Sequence, residues 1–154
     1  MPEWGYSITD IDPYTMVKAS GREVSISHKA AREICKTIKG MRLEVAKEFL
    51  QKVILKKTPV PFRRYKKKVA HRRGLQKFYA GRYPVKAARE ILKVLENAEA
   101  NAEYKGLDTD NLYIIHASAY PGIKRKKFIP RAFGRSSPYF DTLCHVELVL
   151  GPRG

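Results

Sequence analysis

The sequence predicts an α+β fold in which three helices pack on a small antiparallel sheet and a long β-hairpin protrudes from the body. Three segments with helical spacing of apolar residues lie between positions 28 and 106. Two strand-like runs, Leu112–Tyr120 and Thr142–Leu150, follow them. The segment between these runs is basic and poor in apolar residues, so we expect it to form the far end of the hairpin.

The first part of the chain should be irregular and then form a strand. Residues 1–16 contain Pro2 and Pro13 and show little apolar periodicity. Val17–Ile26 is expected to be a strand, in which Gly21 marks a turn or a bulge.

The first helix is predicted over residues 28–39. Ser27 is a suitable N-cap residue, because its hydroxyl can accept a hydrogen bond from a free backbone N–H. Apolar residues recur every fourth position from Ala30 to Ile38 and give the helix one apolar face. Gly40 suits the position just after the helix, where a positive φ is common.

Two further helices and a turn are predicted before the hairpin. The second helix covers about 41–57 and is ended by Thr58–Pro61, because proline cannot continue the hydrogen-bond ladder. The third begins at Pro84, a favoured first helical residue, and ends at Gly106. Leu107–Asn111 forms a turn into the hairpin. The apolar stripes are Leu43, Ala46, Phe49, Leu50, Val53 and Ile54 in the second helix, and Val85, Ala88, Ile91, Leu92, Leu95, Ala98 and Ala102 in the third.

We expect one domain over residues 1–154, a length that can bury roughly 70% of the unfolded surface. The body covers about 17–120 and 140–150. The hairpin arm covers about 112–150, and a basic insert covers about 59–83.

The net charge predicts a polyanionic partner. The chain has 31 Lys and Arg against 15 acids, a formal net charge of +16 and a pI near 10.0. Such an excess attracts phosphates and repels itself in the compact state. Nucleic acid is therefore the expected partner, and an anionic membrane surface is the alternative. No apolar run is long enough to span a bilayer.

The sequence shows no pattern of catalytic or metal-binding residues. Nucleotide-binding glycine loops, zinc-protease helices and nucleophile elbows are all missing. Cys35 and Cys144 are expected to be buried free thiols, which fits a reducing compartment. His116 and His145 are expected to face each other across the hairpin rather than to bind a metal. We predict no catalytic residue, metal or cofactor.

The basic insert combines cations with aromatic residues. No acid lies between Glu48 and Glu90, and within Phe62–Arg82 the cations are interleaved with aromatic side chains. Cations bind phosphates and aromatic faces stack on unpaired bases, so this pattern indicates RNA binding. A disordered basic loop or a nuclear-targeting tract is the alternative.

The hairpin arm is the second basic segment. Tyr120–Tyr139 contains no acid, and its cations lie on both limbs. Pro121, Pro130 and Pro138 prevent regular pairing at their nitrogens and should bend the arm. A free two-stranded ribbon is marginal in water, so we expect the arm to be mobile alone and ordered by its partner.

Several motifs resemble one known family. Pro130–Pro138 resembles the hairpin tip of the universal large-subunit ribosomal protein family numbered twenty-two. Asn97–Glu103 and Leu107–Leu112 resemble its third-helix end and the turn that follows, and Ser27–Arg32 resembles its first-helix start. The resemblance covers about Ala19 to Leu150, in family order.

This resemblance implies a structural, non-catalytic ribosomal protein in the cytoplasm. It implies a body on the outer surface of the large subunit, contacts with 23S-type rRNA and neighbouring ribosomal proteins, and a tip in the wall of the nascent-peptide exit tunnel. Bacterial members often carry a basic residue at the position of Phe133, so a charge-based role does not carry over to this position. They have little counterpart of Pro59–Tyr83, and this block resembles the archaeal or eukaryotic form.

The expected site residues follow from the basic segments and the resemblance. The rRNA-binding residues are Lys29, Arg32, Arg63, Arg64, Lys66, Lys67, Lys68, Arg72, Arg73, Lys124, Arg125, Lys126, Lys127, Arg131 and Arg135. By motif match, the tunnel-lining residues are Arg131, Ala132, Phe133, Gly134 and Arg135. Two other functions remain: an architectural DNA-binding protein with β-ribbon arms, and an RNA-processing enzyme, which no group of carboxylates suggests.

Overall fold

A three-stranded antiparallel sheet forms the centre of the fold. The computed structural model describes residues 5–153. Strands β1 (Val17–Val24) and β4 (Tyr113–Arg125) flank β7 (Asp141–Gly151). From Leu143 onward every residue of β7 is buried, because the strand is paired on both edges and helices pack against the sheet.

The N-terminal segment is irregular, as predicted, over the residues that can be described. Residues 5–16 form neither helix nor strand, and residues 1–4 lie outside the described part of the chain. Ser7 holds the segment against the sheet, since its backbone N–H donates to the Glu147 carboxylate at 3.0 Å.

Helix α1 (His28–Ile38) confirms the predicted capping. The Ser27 hydroxyl accepts from the backbone N–H of Ala30 at 3.4 Å. Gly40, two residues beyond the helix, has a φ of +87°, a conformation in which a Cβ would be strained. The side chain of Ile34 is fully buried.

Helix α2 (Leu43–Ile54) is shorter than the predicted 41–57. Its start is delayed because the preceding residues pair with the sheet edge: the N–H of Gly40 donates to the carbonyl of Ile114 at 2.8 Å. Its end comes early because Lys56 adopts a φ of 57°, which leaves the helical region.

Helix α3 (Val85–Tyr104) packs on α2 and on the sheet. Pro84 occupies the cap position rather than the first helical position, and Gly106 has a φ of +74° after the last turn. Ala88, Ile91 and Leu95 are buried, as the stripe predicted. The three helices and the antiparallel sheet confirm the α+β class.

The hairpin is longer than the two predicted runs. Strands β4 and β7 pair from Tyr113 to Arg125, with two register shifts, and Arg125 lies opposite Asp141 at the far end. The register shifts between Pro121 and Lys124, where proline offers no N–H to the ladder. The predicted irregularity at Pro121 is therefore present.

The expected pairing of two histidines across the hairpin is wrong. His116 lies opposite Val149, and His145 lies opposite Tyr120. A register shift between Ile114 and His116 contributes to this offset. Each histidine instead contacts a glutamate.

Candidate nucleic-acid interface

The outer part of the arm is a short second ribbon. Strand β5 (Phe128–Pro130) pairs with β6 (Ser136–Pro138). The N–H of Arg131 donates to the carbonyl of Arg135 at 2.7 Å and closes the tip. The chain reverses at Phe133, which has a φ of 61° and is 94% exposed. All five predicted tunnel-lining residues are exposed.

The arm has little core of its own. Phe128 and Phe140 meet edge to face with centroids 5.9 Å apart, yet remain 61% and 44% exposed. Ile123 and Tyr139 are also largely exposed. The four consecutive cations from Lys124 to Lys127 are exposed as well. The arm therefore offers cations and aromatic faces together, as an RNA surface requires.

The basic insert is an irregular loop closed by short pairings. Strand β2 (Val60–Pro61) pairs with β3 (Gly81–Arg82), and His71 bridges to Ala80. Phe62 is buried in the core and anchors the start of the loop. The cations of this loop that were predicted to bind rRNA are all exposed: Arg63, Arg64, Lys66, Lys67, Lys68, Arg72 and Arg73.

Glu33 fixes the first turn of the insert. Its side chain is fully buried on α1 and accepts hydrogen bonds from the backbone N–H groups of Arg63, Arg64 and Tyr65 at 2.9, 3.0 and 3.2 Å. Arg32 pairs with the same carboxylate at 3.1 Å. Arg32, which was predicted to bind rRNA, is thus half-buried and forms an ion pair with Glu33.

The start of α1 joins the insert to the base of the arm. Lys29 lies over the ring of Tyr65 at 5.7 Å. His28 and Lys29 also line a cleft with Asp141. Burial, and then the nearby cations Lys29 and Lys124, lower the pKa of His28 and favour the neutral form of this histidine. The predicted cations of α1, the insert and the arm base therefore share one region, whereas Arg131 and Arg135 lie at the tip.

Glu147 is a second buried acid that sequence reasoning missed. It accepts hydrogen bonds from Ser7 and Tyr120 and contacts His116 Nε2 at 3.0 Å. The hydroxyl of Ser7 also lies 3.0 Å from the same Nε2. A nucleophile relay would use the two ring nitrogens for its two partners. Because both partners meet one nitrogen, the cluster holds the N-terminal segment to the sheet and is not a catalytic triad.

Replacing Glu147 with glutamine should change the acid sensitivity of the fold. Burial raises the pKa of this carboxyl, but hydrogen bonds from Ser7 and His116 outweigh burial and hold the pKa below its ordinary value. A carboxyl whose pKa is lowered on folding stabilises the protein above the unfolded pKa, and this stabilisation is lost as pH falls through the folded pKa.

We therefore expect Glu147→Gln to be less stable than the wild type at pH 7, and the difference to narrow as pH falls below about 4.5. Urea unfolding between pH 3 and 7 measures it. If the two proteins differ in free energy of unfolding by the same amount at pH 3 and pH 7, the pKa of Glu147 is not lowered in the folded protein.

The cysteines are buried free thiols, as predicted. Burial raises the pKa of Cys35 to about 12 and that of Cys144 to about 11, so both stay protonated and unreactive near neutral pH. Within residues 5–153, no group of His, Cys, Asp or Glu side chains is arranged to hold a metal ion.

Comparison with known proteins decides the family. The model of the ribosomal protein L22p/L17e family matches residues 19–151. The chain belongs to this family. As an L22p/L17e protein it is a member of a ribosomal family and not of an enzyme family, and the resemblance seen in the sequence is confirmed.

Archaeal relatives of this L22p/L17e protein are similar over nearly their whole length. The large ribosomal subunit protein uL22 of Methanopyrus kandleri is 56% identical over 153 residues, which cover 97% of this chain and 96% of that protein. Its counterpart in Archaeoglobus fulgidus is 53% identical over 149 residues, with the same two coverages. That of Cenarchaeum symbiosum is 55% identical over 149 residues and covers 97% of each chain.

Proposed function

We propose that the chain is a structural constituent of the large ribosomal subunit that binds 23S-type rRNA and aids its assembly. The observation that carries this proposal is the acid-free segment Tyr120–Tyr139 of the arm, whose exposed cations and aromatics have little core of their own. Family membership supports it. Phosphate contacts should dominate affinity, and RNA shape should provide specificity, because A-form RNA hides base edges in its deep groove.

The expected place of action is the large ribosomal subunit, which the names of the relatives give, and hence the cytoplasm. Neighbouring large-subunit proteins would be further partners. Among the described residues, no helix is both long and apolar enough to cross a membrane.

The arm tip is proposed to reach the wall of the nascent-peptide exit tunnel. The motif match at Pro130–Pro138 suggests this position, and the exposure of Phe133 leaves its ring available to a passing peptide. The φ of 61° at Phe133 directs the chain back toward the body and presents this ring at the extreme of the turn.

The double variant Arg131→Ala, Arg135→Ala should leave folding unchanged and alter translation. Both side chains are exposed, and the hydrogen bond that joins these residues is made by backbone atoms, which alanine retains. We expect a thermal midpoint within about 2 °C of the wild type. Ribosomes carrying the variant should read through, or pause longer on, peptides that stall in the tunnel. A large loss of thermal stability in the free variant contradicts the first half, and unchanged stalling contradicts the second.

The rival function is an architectural DNA-binding protein with β-ribbon arms. The specific observation in its favour is the exposed ribbon β5–β6, which carries Pro130 and Pro138. Such arms read the minor groove of duplex DNA. Competition between folded large-subunit rRNA and duplex DNA at matched salt separates the two functions. We expect preference for the RNA, and preference for the duplex would overturn the ribosomal proposal.

A further inference from the structure

A cavity of about 580 Å³ opens between the start of α1, the basic insert and the start of α3. This volume lies within the range of pockets that hold small ligands. Lys29, Arg64, Lys67 and Arg82 contribute to its wall. None of the described residues that line the cavity carries a carboxylate, so the cavity favours an anionic group.

Aromatic rings lie beside these cations. The ring of Tyr65 has Lys29 Nζ at 5.7 Å and the guanidinium of Arg64 at 5.8 Å from its centroid. Tyr83 also lines the cavity, and the guanidinium of Arg72 lies 5.8 Å from its ring centroid. A flat, polarisable ligand could therefore lie against a ring while its charge is held by the neighbouring cations.

Two helix N-termini reinforce the positive potential. Helices α1 and α3 both begin at the wall, through Ser27 and Pro84, and neither carries an acid in its first turn. The positive ends of both helix dipoles are thus left for a ligand to neutralise. Phosphate groups favour such positions.

The wall is held in place before any ligand binds. Glu33 fixes the backbone of Arg63–Tyr65 from behind. Phe62, on the cavity side, is anchored in the core with only 4% of its surface exposed. A preformed wall loses less conformational entropy on binding than a mobile loop would.

We propose that this cavity holds one unstacked nucleotide of the RNA partner, with its base against Tyr65 or Tyr83 and its phosphate among the four cations. This inference rests on the proposed RNA-binding function and assigns that function one defined nucleotide subsite. RNA-binding proteins commonly recognise bases that leave the helical stack in loops and bulges, where aromatic side chains can stack on them.

The test compares Tyr65→Leu and Tyr83→Leu with Tyr104→Leu in the full-length chain bound to transcribed archaeal large-subunit rRNA. Tyr104 is a 95% exposed tyrosine at the end of α3, outside both basic segments and away from the cavity, so it is a matched control. Loss of one base stack should weaken RNA binding by about 5- to 100-fold for Tyr65→Leu or for Tyr83→Leu, and no loss in either variant overturns the cavity proposal. Tyr104→Leu should stay within about 2-fold of the wild type. Circular dichroism checks that all three variants are folded.

A second measurement needs no variant. Ultraviolet crosslinking of the wild-type complex, followed by mass spectrometry, should attach a single nucleotide to Tyr65 or Tyr83. If the wild type binds the rRNA but neither tyrosine crosslinks, the cavity proposal is overturned while the proposed function stands. If the wild type does not prefer the rRNA to duplex DNA, the proposed function fails and the cavity proposal fails with it.

Discussion

Replacing Glu33 with alanine is expected to lower the free energy of unfolding by about 3 kcal/mol and to weaken RNA binding through the insert. The variant leaves three backbone N–H groups, of Arg63, Arg64 and Tyr65, without their carboxylate acceptor. Each buried donor left unsatisfied costs about 1–3 kcal/mol, and water entering the loose loop would recover part of the total. For a chain of this size the thermal midpoint should fall by roughly 6–12 °C.

Scanning calorimetry measures the midpoint, and amide hydrogen exchange at residues 63–65 measures the local effect. Glu48→Ala is the control, because Glu48 is an exposed carboxylate on α2 that pairs with the exposed Lys52, at 2.8 Å. Such pairs contribute little to stability, so its midpoint should be nearly unchanged. Wild-type stability and full amide protection in Glu33→Ala would show that the insert is held by other contacts.

Replacing Lys126 and Lys127 with glutamine is expected to cause the largest loss of RNA affinity without a loss of stability. Both lysines are exposed in the segment that joins β4 to β5. Each phosphate contact contributes about 0.7–0.9 to the slope of log affinity against log salt. Losing two contacts should lower that slope by roughly 1.4–1.8 and weaken binding about 25- to 60-fold at 0.1 M salt.

The matched control is Lys52→Gln with Lys93→Gln, which removes the same charge from exposed lysines. These two lysines pair with Glu48 and Glu90 on the helices, at 2.8 and 2.9 Å. Filter binding to large-subunit rRNA over a range of salt concentrations measures both variants. If the slope of log affinity against log salt is the same for the two double variants, net charge and not the position of the lysines in the arm determines RNA affinity.

The sequence predicted the elements whose ends depend on neighbouring residues. The start of α1 follows from the Ser27 cap, and its end follows from Gly40, which adopts a positive φ. Gly106 acts in the same way after α3. These signals are local, and they can be recognised without knowing the rest of the fold.

The sequence could not predict features that depend on distant partners. Helix α2 starts late because the N–H of Gly40 donates to the carbonyl of Ile114 on the edge strand β4, and the N–H of Leu43 donates to that of Leu112 just before this strand. The histidine pairing failed because the register of the hairpin, in which His145 lies opposite Tyr120, cannot be read from alternating apolar residues. Pairing between strands is decided over the whole hairpin and not at one residue.

Only part of the candidate site was predicted from the sequence, because some of its features are local and others depend on distant segments. Acid-free basic segments are visible in the sequence, so the arm and the insert were found. Glu33 was missed because an acid on a helix is usually solvated, and its backbone partners lie 30 to 32 residues further along the chain. The cavity was missed because three separate segments form its wall. One signal was present for Glu33: it is followed directly by the apolar Ile34 and Cys35.

We expect the arm to anchor the protein in the large subunit. This expectation can be tested with a variant in which residues 126–140 are replaced by Asn-Gly, a turn that suits two-residue hairpins and closes the pair formed by Arg125 and Asp141. This change removes the outer arm and leaves the paired strands of the body intact.

The most direct measurement is co-sedimentation of tagged wild-type and arm-shortened protein with large ribosomal subunits after a high-salt wash. We predict that the wild type stays with the subunits and that the shortened variant, folded by circular dichroism, is washed off. Two results would contradict the role of the arm as an anchor: wild-type protein that does not sediment with the subunits, or a shortened variant that is retained as well as the wild type.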